Sequence, residues 1–284
     1  CTWVCIIRAI FWPDGVRCPR CESEKVWRTE RQQFDCGTCS YRFSVTSGTI
    51  FHDTRVPLRK WFLAVYLLVE SKKSMSALQL KRTLDIKTYK TAWYLCHRIR
   101  AAMRDAYPVP LKGIVEVDET YVGGKVRGKG KGYVGNKAIV IGAVQRHGKI
   151  ILQVIDRTDK ATLQGFVKLT TDPDAEAIHT DEHPSYVGIG DENTRHETVN
   201  HKAEEYVRYT ANGAVHTNSV ENVWSLLDRS IMGAFHHVSI KHLPAYIEEL
   251  EWRFNHRDNP FLFKDTLTKL LRSDNLTYQD LVAD

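Results

Sequence analysis

The chain has 284 residues, of which 43% are apolar, and a formal net charge of +6. This length predicts two domains and a small third one, and the lack of an apolar run of about 18 residues excludes a membrane-spanning helix. The charge is uneven: residues 1–110 carry 19 Lys and Arg against 9 Asp and Glu, whereas the remainder carries 21 against 25. A basic first third indicates contact with a polyanion, although a solvated basic surface gives the same count.

Two cysteine pairs near the start of the chain have the spacing of a metal site. They are "CPRC" at 18–21 and "CGTC" at 36–39. Each Cys-x-x-Cys turn directs two thiolates to one point, and two such turns supply the tetrahedral set that zinc prefers. A redox Cys-x-x-Cys needs no second pair. We therefore predict a zinc ribbon with an N-terminal extension over residues 1–50, in which structural Zn²⁺ is bound by Cys18, Cys21, Cys36 and Cys39.

Three helices are predicted after the ribbon, over about 57–71, 75–84 and 88–105. Ser74 and Thr88 are the expected N-caps of the second and third. The third is rich in basic residues, which fall mostly off its apolar stripe. A short helix, a turn and a longer basic helix are typical of a helix-turn-helix, and a plain three-helix bundle is the alternative. We predict a DNA-binding domain over 51–107, with Arg98 as a candidate DNA contact.

The remaining residues, 108–284, predict an α/β catalytic domain with a mixed sheet. Alternating apolar residues indicate strands at 113–122, 137–146 and 149–156, a helix near 160–170 and a fourth strand at 176–181. Three antiparallel strands, a crossover helix and a parallel fourth strand give the ribonuclease-H-like order. The first strand then lies beside the fourth, so Asp118 and Asp181 are expected to be neighbours. The C-terminal helices are assigned to the same domain.

The stretch "VEVDETYVGG" at 115–124 raises the question of why three acids stand in one strand. Alternation places Glu116 on the same face as Asp118, whereas Glu119 points away. A helix that begins near Asn218 or Ser219 carries Glu221 in its first turn. Three carboxylates suit a pair of Mg²⁺ or Mn²⁺ ions that act on a phosphodiester, and ordinary surface acids are the alternative.

The segment 123–137, "GGKVRGKGKGYVGNK", contains six Gly and five Lys or Arg. It lacks the Ser or Thr and the following helix of a P-loop, so nucleotide binding is rejected. Its charge suits a phosphate backbone, so we predict a loop that contacts DNA or a second copy of the chain, and plain disorder is the alternative. The candidate DNA contacts in this loop are Lys125, Arg127, Lys129 and Lys131.

Six motifs, in this order, resemble those of bacterial insertion-sequence transposases related to eukaryotic Merlin transposons. They are "RCPRC…CGTC", "VEVDETYVGGK", "IHTDEHPSY", "HTNSVENVWSLLDRSI", "FHHVSIKHL" and "RFNHRDN". The resemblance spans about residues 12–260. It implies a zinc ribbon, a helical DNA-binding part and a ribonuclease-H-like DDE catalytic domain.

By motif, the resemblance assigns the catalytic, metal-binding roles to Asp118, Asp181 and Glu221. Asn218 is the alternative third residue, and Glu116 and His216 are candidates for supporting contacts. Such families usually have Lys seven residues after the third acid. Here that position is Asp228, and the adjacent Arg229 is the candidate substitute as a DNA contact.

The expected function is cleavage of transposon ends and joining of their 3′-hydroxyls to target DNA. The expected partners are double-stranded DNA, both terminal inverted repeats and target, and a second copy of the chain, since two ends must be held together. The expected compartment is the bacterial cytoplasm, on DNA. The alternatives are a decayed or domesticated transposase that only binds DNA, and a ribonuclease-H-like nuclease without strand joining.

Overall fold

The computed structural model describes residues 3–30, 33–105, 108–123 and 137–283. The chain divides into two compact units, one formed by Cys1–Arg104 with Asp258–Asp284 and the other by Asp105–Arg257. In the described residues, no helix is both long enough and apolar enough to cross a membrane.

The first unit begins with a helix and a small sheet. Its elements are α1 (Trp3–Phe11), β1 (Val26–Arg28), β2 (Phe34–Cys36) and β3 (Arg42–Phe43), and the three strands are antiparallel in the order β1-β2-β3. The Trp12 ring meets Phe34 and Phe43 edge-on, with centroids 6.3 Å and 6.1 Å away. This aromatic cluster gives a short module an apolar centre.

Three helices follow in the positions that the sequence predicted. They are α2 (Leu58–Glu70), α3 (Ala77–Thr83) and α4 (Tyr89–Met103). Thr88 caps α4 by accepting from the Thr91 amide, as expected. The expected cap of α3 was wrong: Ser76 accepts from Gln79, whereas Ser74 has a φ of 68° and lies before the helix.

The second unit is built on a five-stranded mixed sheet. Its strands and helices are β4 (Ile114–Val122), β5 (Ala138–Gln145), β6 (Ile150–Ile155), α5 (Lys160–Thr170), β7 (Ala177–Asp181), β8 (Arg195–Val199), β9 (Arg208–Thr210), β10 (Gly213–Val215), α6 (Asn218–Ser230) and α7 (Leu243–Asn255). The strand order is β6-β5-β4-β7-β8, with β4, β5 and β6 antiparallel and β7 and β8 parallel to β4. The predicted ribonuclease-H-like order is confirmed, and β8 is a second parallel strand whose residue range the sequence did not predict.

The two faces of this sheet bury different residues. Val115 and Val117 pack with α5 on one face, while α6 and α7 cover the other face over residues such as Val140 and Val144. Because side chains alternate along β4, Glu116 and Asp118 are directed to the face that α6 covers. The alternation therefore places two acids of β4 beneath a helix.

The C-terminal helices belong to the first unit, which corrects their expected assignment to the catalytic domain. They are α8 (Leu262–Arg272) and α9 (Tyr278–Val282). Helix α8 packs on α1, α2 and α4, and its Leu267, Leu270 and Leu271 are buried. An amphipathic helix is drawn to whichever apolar surface is open to it, and here that surface is offered by the N-terminal helices.

Candidate active site and zinc centre

The four cysteines of the ribbon converge on one point. Their Sγ atoms all lie within 4.8 Å of one another, and the pairs Cys18–Cys39 and Cys21–Cys36 are 3.6 Å apart. A tetrahedral zinc with Zn–S bonds of about 2.3 Å requires sulfurs about 3.7 Å apart. Backbone N–H groups lower the pKa of Cys36 to about 6, which favours the thiolate. The four thiols therefore fit structural zinc.

Asp118 and Asp181 lie at matching positions of two adjacent parallel strands. The last paired residues of β4 and β7 are Glu116 and His179, and each aspartate follows its strand's last pair by two residues. The carboxylates interact electrostatically, because the charge of Asp181 raises the pKa of Asp118. The two acids thus stand side by side at the same edge of the sheet.

The carboxylate of Asp118 is held beneath α6 by a tryptophan. The Trp224 indole N–H donates to Asp118 Oδ2 over 2.8 Å. Burial, then the charges of Glu119 and Asp181, raise the pKa of Asp118 to about 7, against the lowering effect of the indole hydrogen bond. A half-buried carboxylate repelled by two other acids is a candidate cation site.

Glu119 lies on the opposite face of β4 but belongs to the same negative cluster. Its Oε2 accepts a 2.7 Å hydrogen bond from the Tyr186 hydroxyl. Its pKa is raised by burial and by the charge of Asp181. Alternation predicted the direction of this side chain but missed its electrostatic contribution.

Glu221 lies in the first turn of α6 and is partly open to solvent. Its side chain is 45% exposed, and its Oε1 is 3.4 Å from His201 Nε2 and accepts from Thr217 Oγ1 over 3.3 Å. Among the residues that the structure describes, only the four cysteines form a group of three or more metal ligands within 4.8 Å. The two aspartates and Glu221 are therefore not drawn into one tight cluster.

The start of α6 is capped by Glu116 rather than by the helix's own residues. The predicted capping side chains, Asn218 and Ser219, are already inside the helix, and Thr217 makes no side-chain cap. The Ser219 and Val220 amides donate to Glu116 Oε2 over 2.7 Å and 3.3 Å. His216 lies beside the same carboxylate, with Nδ1 3.2 Å from Oε1. Glu116 and His216 therefore lie next to each other at the N-terminus of α6. Glu116 is two residues before Asp118 on β4.

The residues predicted to contact DNA differ in their exposure to solvent. Arg98 is 3% exposed, and its guanidinium donates to the backbone oxygen of His52 and to Asn275 Oδ1. The prediction that Arg98 contacts DNA is wrong, because this group is used inside the first unit. Arg229 and Asp228 are exposed on α6. The four loop cations, Lys125, Arg127, Lys129 and Lys131, lie outside the described residues.

Three residues of this region make contacts that the sequence did not predict. Trp224 was predicted only as part of an apolar helix face, which it is, but its N–H also binds Asp118. Arg146 directly follows β5 in a turn, and nothing in its sequence context indicates a buried partner. His201 lies far along the chain from Glu221, and only the fold brings the two together.

Comparisons with known proteins agree with this architecture. Residues 110–255 match the ISXO2-like transposase domain, and residues 5–42 match the transposase zinc-ribbon domain. An uncharacterised protein of the transposable element ISH50 from Halobacterium salinarum is 30% identical over 270 residues, which covers 87% of this chain and 88% of that protein. A transposase-like protein of Haemophilus influenzae is 26% identical over 110 residues, 39% of this chain and 84% of its own.

Similarity to solved structures is much weaker. A chain of a pre-cleavage Mos1 transpososome is 11% identical, covers 78% of this chain and 82% of its own, and gives a TM-score of 0.28. A score this low carries no weight for the fold. The resemblance to insertion-sequence transposases is confirmed by the family and sequence matches alone.

Proposed function

Because the chain belongs to the transposase family defined by the ISXO2-like domain, we propose that it cleaves transposon ends and joins their 3′-hydroxyls to target DNA. The observation that carries this proposal is the pair Asp118 and Asp181, adjacent at one edge of a ribonuclease-H-like sheet and electrostatically coupled. Glu221 completes the proposed set from the first turn of α6, with Asn218 as the alternative.

The donor set suits Mg²⁺ or Mn²⁺, since it consists of carboxylate oxygens whose mutual repulsion a cation relieves. When bound, such ions activate an attacking oxygen and stabilise the leaving oxygen of a phosphodiester. The chain's own residues orient these acids. The Trp224 indole fixes one oxygen of Asp118, and Thr217 and His201 hold Glu221.

DNA recognition is proposed for the first unit and for exposed cations near α6. In the first unit, residues 87–90 at the start of α4 are exposed, among them Lys87, Tyr89 and Lys90, whose ammonium lies over the Tyr278 ring. The N-terminal residues of the second helix of a helix-turn-helix are those that contact base edges. These three residues therefore replace the buried Arg98 as proposed contacts with the terminal repeats, and Arg229 is kept as a contact near the cleaved phosphate. Two copies of the chain are expected on paired DNA ends.

The proposal is tested by strand transfer from an oligonucleotide of the flanking DNA into a supercoiled plasmid, with Mg²⁺ or Mn²⁺. Asp118→Asn is expected to reduce joined product by at least about 1,000-fold, equivalent to about 4 kcal/mol of transition-state stabilisation. Asp174→Asn, at an exposed aspartate of the same unit, is the matched control and should keep full activity. Equal product from Asp118→Asn and the unmodified chain would refute the assignment.

Asp228 supports a second candidate, a decayed transposase that only binds DNA. This exposed acid stands where the resemblance to insertion-sequence transposases implies Lys, and its charge opposes a DNA phosphate. Under this candidate the unmodified chain binds transposon ends but yields no product, and Asp228→Lys restores strand transfer. Under the main proposal the unmodified chain is active, and Asp228→Lys raises its rate only a few-fold.

A further inference from the structure

The most deeply buried acid of the second unit is Glu116, which the proposed chemistry does not use. Its side chain is 0% exposed, and it lies on β4 two residues before Asp118. A buried carboxylate is costly unless it is paired and hydrogen-bonded. Its partners therefore indicate what the residue is for.

The donors to Glu116 come from the start of α6 and from one arginine. Ser219 donates through its amide to Oε2 and through its hydroxyl to Oε1, at 2.7 Å and 2.9 Å, and the Val220 amide lies 3.3 Å from Oε2. Arg146 donates from Nε to Oε1 over 3.0 Å. These contacts join the carboxylate to the orphan amides of a helix N-terminus, where negative charge is favoured.

Arg146 extends the same network to two further segments. Its Nη1 donates to the carbonyl of Ala214 over 3.0 Å, and its Nη2 lies 3.2 Å from His179 Nδ1 on β7 and 3.4 Å from the carbonyl oxygen of His216. The guanidinium side chain is only 15% exposed. One ion pair thus connects β4, β7 and the chain that leads into α6.

From this arrangement we infer that Glu116 is a positioning residue, which with Arg146 fixes the first turn of α6 relative to β4 and β7. The inference rests on the proposed function in one respect: the first turn carries Glu221, and the two strands carry Asp118 and Asp181. Glu116 touches none of the reacting groups. It acts by setting the distance between the third acid and the two aspartates.

A carboxylate is suited to this task where an apolar residue is not. Replacing a buried ion pair by apolar residues is often neutral for stability, so stability alone does not require Glu116. An apolar side chain, however, cannot accept from the two amides, and α6 would then be held only by its non-directional apolar face. Contacts that hydrogen-bond a metal ligand change affinity or activity by about 10- to 100-fold when removed, and we take this range for a contact that positions the helix carrying the ligand.

The test compares Glu116→Gln with a control at another buried acid of the same unit. Glu249 on α7 is 1% exposed and pairs with Arg253 over 3.2 Å, so Glu249→Gln removes a similarly buried carboxylate from α7 rather than from β4. Hydrogen exchange is measured on both variants without added Mn²⁺ or Mg²⁺. Mn²⁺ binding by calorimetry and single-turnover cleavage of a transposon-end oligonucleotide are measured on the same variants.

We expect Glu116→Gln to speed exchange at the Ser219 and Val220 amides and to weaken Mn²⁺ binding and cleavage by about 10- to 100-fold. Glu249→Gln should leave all three unchanged. Ser219→Ala, which keeps the carboxylate and removes one donor, should give a smaller change of the same sign and serves if Glu116→Gln does not fold.

Two results would overturn the inference. One is unchanged exchange at the start of α6 in Glu116→Gln and in Ser219→Ala. The other is an equal loss of Mn²⁺ binding in Glu249→Gln, which would mean that any buried acid of the unit has the same effect. Failure of the proposed function would give a different result from failure of this inference. If the proposed function is wrong, Asp118→Asn retains cleavage. The exchange measurement still decides whether Glu116 holds the start of α6.

Discussion

The two predicted metal sites of this chain differ in how completely the fold assembles them. The four cysteines lie within 4.8 Å of one another, and each pair comes from a turn of four residues. The carboxylates come from β4, β7 and α6, and Glu221 remains partly exposed with its own partners. A site whose role is structural is closed by its ligands, whereas a site that must admit a substrate keeps open positions.

Electrostatics places a similar demand on the two sites. In the ribbon, backbone N–H groups lower the pKa of Cys36 to about 6, whereas, against the lowering effect of the Ser23 backbone, hydrogen bonds with Cys39 and burial raise the pKa of Cys21 to about 12. At the sheet edge, burial and neighbouring acids disfavour the charged form of Asp118. A bound cation would favour the charged ligands in both sites, so the two differ in closure rather than in charge. Each prediction below perturbs one side of this difference.

Removing zinc is expected to have the largest effect. A structural zinc contributes about 10 kcal/mol or more to the folding of a small metal-dependent module, so Cys39→Ser should lose bound zinc, the ribbon fold and binding to transposon ends. Zinc content by mass spectrometry and end binding by anisotropy measure this. Cys96→Ala, at a buried cysteine outside the ribbon, is the control and should keep about one zinc per chain. Normal end binding by zinc-free Cys39→Ser would contradict the structural role.

The sequence predicted the closed site more completely than the open one, for a physical reason. The zinc ligands are set by two local turns, so their spacing defines the site. The adjacency of Asp118 and Asp181 followed from strand order alone. The partners of Glu221 and Glu116 depend on side chains such as His201 and Arg146, which only the tertiary fold brings near.

The error at Arg98 has the same origin. Its position off the apolar stripe of α4 predicted a surface cation. The partner that covers it, Asn275, lies 177 residues further along the chain, in the C-terminal segment that joins the first unit. A helix pattern predicts which face is apolar, but it does not predict that a distant segment will cover the polar face as well.

The second prediction concerns Asp118 and pH. Its folded-state pKa of about 7 lies above its ordinary value of 3.8, so the folded state binds the proton more tightly. Without Mn²⁺ or Mg²⁺, the stability of the zinc-containing chain should therefore fall as pH rises from about 4 to about 7. Asp118→Asn removes this loss and should be more stable than the unmodified chain above pH 7, by up to about 4 kcal/mol, but not below pH 4.

Denaturant unfolding at pH 4 and pH 8 measures this difference. Mn²⁺ at pH 8 should stabilise the unmodified chain and have little effect on Asp118→Asn, because the carboxylate that the ion neutralises is missing. Asp174→Asn should match the unmodified chain at both pH values. Equal stability of Asp118→Asn and the unmodified chain at pH 8 would mean that burial and the neighbouring acids do not raise the pKa of Asp118.

The smallest expected effect lies at Gly142, which pairs with Asp118 across β4 and β5. A Cβ there would lie 2.6 Å from Trp224 Cη2 and 2.9 Å from Leu152 Cδ2, so Gly142→Ala must displace the indole. We expect a loss of about 1–3 kcal/mol from overpacking.

Because the indole hydrogen bond lowers the pKa of Asp118, its loss should also move the acid limb of the activity profile to higher pH. Gly165→Ala, on α5 with no atom near its Cβ position, controls for the added methyl group and should stabilise by up to about 1 kcal/mol. An unchanged pH profile in Gly142→Ala, together with the loss of stability, would show that Trp224 packs over the sheet without tuning the carboxylate.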